Sequence, residues 1–205
     1  MVNRYSVAVS GQPETPGHAR IANLANVLTL LRLVLVPIFL LALFAGDGHQ
    51  IAFRIVAFLI FAVAAITDRL DGLLARNYGM ATEFGAFVDP IADKTLIGSA
   101  LVGLSMLGEL PWWITVLIMS REVGVTLLRL AVIRRGVIPA SWGGKLKTVV
   151  QSVAIGLFIL PLSGPVQVAA SVVMGVAIVL TVVTGIDYVA QTFRTVRQVR
   201  PPTGG

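Results

Sequence analysis

Apolar residues fall into six runs along the chain, approximately 24–45, 51–67, 86–107, 112–133, 149–162 and 166–190, separated by short polar gaps. Several runs approach the ~20 residues that a helix needs to cross the hydrocarbon of a bilayer. Within hydrocarbon, backbone N–H and C=O groups must be satisfied inside the segment, and a helix does so without help from water. The pattern therefore predicts an all-α integral membrane fold of six transmembrane helices. Residues 1–23 are polar, contain Gly11, Pro13, Pro16 and Gly17, and are expected to form a flexible or surface-lying, amphipathic leader. Residues 24–192 would then be the membrane domain and 193–205 a basic tail.

Composition agrees with this reading. The chain of 205 residues is 56% hydrophobic and only 13% charged, with a mean hydropathy of +0.87, whereas soluble domains carry roughly 25% charged residues. The net charge of +6 would suggest nucleic acid in a soluble protein, but the basic residues sit mainly between apolar runs. Gaps one, three and five lack Lys and Arg. The opposite ends carry Arg4 and Arg20, Arg69 and Arg76, Arg134, Arg135, Lys145 and Lys147, and Arg194, Arg197 and Arg200. The positive-inside rule places those ends and both termini in the cytoplasm of a multi-pass cell-membrane protein. Trp112 and Trp113 fit an aromatic belt on the far side. With no cysteine, and with His18 and His49 both in gaps, any bound metal would be a hard one held by oxygen.

Four aspartates, Asp68, Asp71, Asp89 and Asp93, cluster at the cytoplasmic ends of the second and third runs. On helices, Asp68 and Asp71 (i, i+3) share one face, as do Asp89 and Asp93 (i, i+4). Carboxylates brought together repel and force protonation unless a positive group joins them. Arg69 and Lys94 each follow an aspartate directly and are expected to point elsewhere on the helix. A divalent cation, Mg²⁺, Mn²⁺ or Ca²⁺, suits such oxygens. Gly72, Ala75 and Gly85 keep the neighbouring wall small, which would admit a ligand to the backbone or simply allow close helix packing. Paired cations on carboxylates suit an in-line displacement at phosphorus, with a nearby carboxylate taking a proton from an incoming hydroxyl.

The residues Asp68-x2-Asp71-Gly72-x2-Ala75-Arg76-x8-Gly85-x3-Asp89-x3-Asp93 resemble the complete motif of the CDP-alcohol phosphotransferases. These integral membrane enzymes move a phosphatidyl or similar group from a CDP-linked donor to an alcohol. Similarity extends through the 23–37 segment NLANVLTLLRLVLVP, the REVGVTLLR segment after Ser120 and GKLKT at 144–148, and is closest to the phosphatidylglycerophosphate synthase branch. The resemblance implies six transmembrane helices, a homodimer and two divalent cations, Mg²⁺ or Mn²⁺, on Asp68, Asp71, Asp89 and Asp93. Asp93 would also be the catalytic proton acceptor. Asn26, Thr29, Gly72, Ala75, Arg76, Thr82 and Gly85 would form the CDP site. The implied substrates are CDP-diacylglycerol and glycerol 3-phosphate, in contact with the lipid bilayer and not with nucleic acid.

An acceptor that already carries phosphate calls for cations besides the metals. Arg121, within the fourth run, is the first candidate because an intramembrane charge is costly and usually functional. Lys145 and Lys147 follow, although positive-inside topology and attraction to anionic lipid would explain them equally well. Arg121 and Glu122 are adjacent on a helix and expected to diverge, so Glu122 should need another partner. Arg129 is a weaker candidate, and Arg32 is expected to be structural or near the pyrophosphate. Related chemistry with phosphatidylglycerol or an inositol phosphate as acceptor stays open, as do a metal-stapled scaffold and a divalent-cation transporter. A transporter would need polar residues through the whole bilayer, whereas the outer halves of the second and third helices read as apolar.

Overall fold

A computed structural model describes residues 16–78, 83–132 and 142–198, with side chains at 27–69, 94–128 and 143–192. Among these residues six α-helices follow in order: α1 (Pro16–Phe44), α2 (Ile51–Tyr78), α3 (Glu83–Met106), α4 (Trp112–Val132), α5 (Trp142–Ile159) and α6 (Pro165–Gln198). No strand occurs among the described residues. Each apolar run therefore falls mainly within one helix, and several helices extend beyond their run. α1 begins upstream at Pro16, α2 continues from Thr67 to Tyr78, and α5 begins at Trp142. Hydropathy marks the stretch suited to hydrocarbon, while the hydrogen-bonded helix continues into the polar flanks.

The connections are short and carry turn chemistry. α1 ends in a tight turn where Gly46, Asp47 and Gly48 all take positive φ (61°, 57° and 72°), a region that only glycine enters without steric cost. Past α3, the Glu109 and Leu110 amides both donate to the Leu104 carbonyl (3.0 and 3.3 Å), closing the helix end. Pro111 and Trp112 then open α4, and Pro165 opens α6, the position where a missing N–H is harmless.

α1 packs on α2 and α3, α5 on α6 and α2, α4 on α6, and α3 on α4 and α5. Phe39 and Leu43 of α1, Phe61 of α2, Leu101 and Leu104 of α3, Ile118 of α4 and Ile155 of α5 are buried together. Gly103 sets the α1–α3 approach, since a Cβ there would lie 2.7 Å from Leu43 Cδ2. The outer faces carry Val34, Ile38 and Leu41 on α1, and Val168, Val172, Val176, Val179 and Val183 on α6, all exposed. Such apolar exteriors belong against lipid tails, and the chain is a multi-pass membrane protein.

Among the described residues, three segments are long and apolar enough to cross a bilayer by themselves: Val27–Gly48, Ile51–Arg69 and Pro165–Thr192. In α3 a shorter apolar stretch, Lys94–Met106, follows the aspartates. α4 is interrupted by Arg121 and Glu122, and α5 carries Lys145 and Lys147 near its start. Of the six crossings expected, α1, α2 and α6 thus carry spans long and apolar enough.

One expectation is overturned. The outer half of α2 is not wholly apolar: Arg54 lies in its first turn and is 1% exposed. Its Nε donates to the Ile159 carbonyl (2.6 Å), one terminal nitrogen to Phe158 (2.8 Å), and the other to Gly48 (3.0 Å) and to Glu109 Oε1 (3.0 Å). A guanidinium over the last carbonyls of α5 satisfies groups that a helix C-terminus leaves open and matches its dipole. Arg54 therefore staples the ends of α1, α3 and α5 to the start of α2.

Candidate active site

About 14 residues separate Arg54 from Asp68 on α2, which at 1.5 Å per residue is roughly 21 Å. At this opposite end, Asp68 and Asp71 lie on α2 and Asp89 and Asp93 on α3, so both carboxylate pairs sit on helical backbone with the expected i, i+3 and i, i+4 spacing. Gly72, Ala75 and Arg76 follow on α2, Gly85 on α3 and Asn26 on α1. The side chains of these residues, Asp68 excepted, fall outside the described set, as does Thr82 altogether.

Asp68 is described, and sequence reasoning missed its partner. Arg32, one turn after Thr29 on α1, sends a terminal nitrogen to within 2.6 Å of Asp68 Oδ1. The guanidinium is 1% exposed and the carboxylate 26%. Thr29 is likewise buried, at 2%. α1 thus orients the first aspartate from inside the bundle. No hydropathy signal links positions 32 and 68, although an arginine inside an apolar run is itself a sign that an acid waits elsewhere.

A second cluster sits beside the first. Glu122 of α4 accepts hydrogen bonds from Lys147 Nζ of α5 and from Arg121 (3.1 Å), and its other oxygen lies 3.7 Å from Lys94 Nζ of α3. Arg121 and Glu122 therefore pair, contrary to expectation. Their Cβ atoms diverge, but the arginine arm is long enough to return to the neighbouring carboxylate. Arg121 also donates to Thr184 Oγ1 on α6 (3.1 Å), and its Nε is buried without a hydrogen-bond partner. α6 approaches through Gly185, where a Cβ would stand 3.2 Å from Arg121 Cγ.

Lys145 and Lys147 separate on α5. Lys147 is 3% exposed and bound to Glu122, whereas Lys145 is exposed. Two positions apart on a helix corresponds to about 200° of rotation, so the pair cannot share one face. Lys94, set aside in the sequence as pointing away from the aspartates, reaches Glu122. Three cations from three helices thus surround one carboxylate, leaving the cluster two positive charges in excess.

Between α3, α4 and α5 lies a cavity of about 30 Å³ whose wall includes Lys94, Glu122, Lys147 and Gln151. A larger hollow of about 510 Å³ runs along α4 and α6. Its lining of Leu117, Val182, Ile186 and Val189 is apolar apart from a few groups such as Arg121 and Ser120, and several of these residues are exposed on the lipid-facing side. The smaller cavity is the one with chemistry around it: concentrated positive charge next to the α3 turn that bears Asp93.

Residues 22–183 match the family of CDP-alcohol phosphatidyltransferases. The chain belongs to this family. Among relatives, it is 77% identical over 200 residues, 96% of both chains, to a protein of Mycobacterium tuberculosis (strain H37Rv) named probable phosphatidylglycerophosphate synthase. It is 34% identical over 189 residues to a Bacillus subtilis protein named CDP-diacylglycerol–glycerol-3-phosphate 3-phosphatidyltransferase, covering 85% of this chain and 97% of that one. An Escherichia coli K12 protein of the same name is 36% identical over 174 residues, covering 82% and 93%. Asp68 is part of the Asp68–Asp93 motif, whereas its partner Arg32, like Lys94, Arg121, Glu122 and Lys147, lies outside it.

Proposed function

We propose that this chain transfers the phosphatidyl group of CDP-diacylglycerol to glycerol 3-phosphate, giving phosphatidylglycerophosphate and CMP. The observation that carries the choice of acceptor is the cluster of Lys94, Arg121 and Lys147 on Glu122. Its excess of two positive charges suits the phosphate of a water-soluble acceptor, and the names of the relatives narrow that acceptor to glycerol 3-phosphate.

The family works with divalent metal, and the donor chemistry fits: Asp68, Asp71, Asp89 and Asp93 would hold two such cations, Mg²⁺ or Mn²⁺, with oxygen ligands and no competing thiolate or imidazole nearby in sequence. When bound, the ions neutralise phosphate oxygens and the charge that develops on departing CMP. The chain's own groups do the rest. Arg32 fixes the orientation of Asp68 through Oδ1. Asn26, Thr29, Gly72, Ala75, Arg76, Thr82 and Gly85 form the CDP site. Lys94, Arg121 and Lys147 seat the acceptor phosphate and hold its free hydroxyl near Asp93. The Asp93 carboxylate takes the proton from that hydroxyl, its oxygen bonds to the lipid-side phosphorus, and the bond to CMP breaks.

The same reading assigns six membrane crossings. α3, α4 and α5 cross with their charges turned toward one another, which removes the cost of facing lipid. The aspartates and both termini lie on the cytoplasmic side of the cell membrane, and the protein acts as a homodimer; the leader expected over residues 1–23 lies outside the described residues as far as residue 15. Purified enzyme supplied with CDP-diacylglycerol and, separately, glycerol 3-phosphate, phosphatidylglycerol or an inositol phosphate tests the acceptor. CMP release is expected with glycerol 3-phosphate. Release confined to either of the others would reject the proposal.

A further inference from the structure

Gln151 stands on α5 one turn after Lys147, 2% exposed. Its Oε1 is buried and has no hydrogen-bond partner. Leaving such a group unsatisfied costs roughly 1–3 kcal/mol, and the positions that follow on the buried face of α5, Ala154, Ile155 and Phe158, are apolar. An apolar side chain at 151 would remove that cost.

The residue lines the cavity that also touches Lys94, Glu122 and Lys147. Lys147, which at i, i+4 spacing shares the face of Gln151, gives its ammonium to Glu122 instead. The volume of about 30 Å³ has room for only one or two water-sized groups. Of the polar groups on the cavity wall, the Glu122 carboxylate already accepts from Lys147 and the Thr148 hydroxyl already donates to the Gly144 carbonyl, which leaves the Gln151 amide oxygen as the acceptor without a donor. A phosphate dianion, which has no proton to give, would be seated by the cations and repelled by Oε1. A carbon-bound hydroxyl is small enough to enter and supplies the missing donor.

We propose that Gln151 is a specificity-determining residue whose Oε1 accepts a hydrogen bond from the secondary hydroxyl of the acceptor when the phosphate rests on Lys94, Arg121 and Lys147. The inference rests on the acceptor reading above and deepens it. In glycerol 3-phosphate the secondary hydroxyl is on the carbon next to the phosphate-bearing one, so a phosphate held at the cluster brings that hydroxyl to the cavity mouth. The primary hydroxyl remains for Asp93.

The test compares glycerol 3-phosphate with 3-hydroxypropyl phosphate, which keeps the primary hydroxyl and the phosphate but lacks the secondary hydroxyl. CMP release is measured with wild type and with Gln151→Met, and thermal unfolding in detergent monitors folding. Wild type is expected to prefer glycerol 3-phosphate in kcat/KM by on the order of tenfold or more. In the variant the ratio is expected to collapse to within about threefold. A ratio that persists in the folded variant overturns the role of Gln151 while leaving the acceptor reading standing. So does wild type that uses both acceptors equally, an arm that needs no variant; if Gln151→Met fails to fold, Gln151→Ala is read by the same ratio. Wild type that releases no CMP with glycerol 3-phosphate overturns both proposals.

Discussion

Arg54 and Glu122 each centre a charged network at opposite ends of the bundle, and the two networks are balanced differently. At one end Arg54 spends its donors on three carbonyls and on Glu109, so cation and carboxylate match one to one. At the other, Glu122 is shared by Lys94, Arg121 and Lys147, with Arg121 Nε and Gln151 Oε1 left without partners. A polar network that is fully satisfied inside a protein fixes structure. One that keeps surplus charge and open hydrogen-bonding atoms is incomplete by itself, and a ligand of opposite charge completes it. The difference separates a staple from a site more sharply than burial does, since Arg54 and Lys147 are almost equally buried.

The largest expected effect is at the incomplete end. Asp93→Asn should lower the CMP release rate on the order of 10³-fold, the scale of general-base catalysis, while thermal unfolding in detergent stays near wild type. Arg54→Ala should do the reverse. It strands Glu109 and uncaps α5, and is expected to destabilise the fold by about 3 kcal/mol, read as a lower Tm, with turnover per folded molecule retained. If it instead lowered turnover without changing Tm, the contrast between the two ends would fail. Lys147→Met should raise the KM for glycerol 3-phosphate by roughly 10- to 100-fold, the worth of a charged hydrogen bond, and leave the KM for CDP-diacylglycerol within about twofold. Lys145→Met, an exposed position, should change either constant by less than about twofold. An equal response of the two lysines would mean that the cations act by general attraction to anionic lipid.

The six helices were legible because each apolar run is long and bounded by turn residues such as Gly46, Gly108 and Gly164. The aspartate spacing was legible because helical periodicity links residues three and four apart. Arg32 with Asp68, and Arg54 with Glu109, were not. Such pairs join positions far apart in the chain, and local pattern carries no register for them. Glu122 does take another partner, Lys147, as expected, but its pairing with Arg121 was missed for a different reason: the rule that adjacent helical residues diverge governs Cβ directions, and a guanidinium on a three-carbon stem can double back. Lys94 was discounted on the same rule, which did not point to Glu122. Gln151 offered only the hint of an amide in an apolar helix.

Titrating glycerol 3-phosphate calorimetrically into the Asp93→Asn protein, with and without Lys147→Met, asks most directly whether the unsaturated cluster seats the acceptor phosphate. Binding to the single variant and a loss of at least tenfold in affinity in the double variant are the predicted results. Equal affinity in the two proteins, both folded, would contradict it.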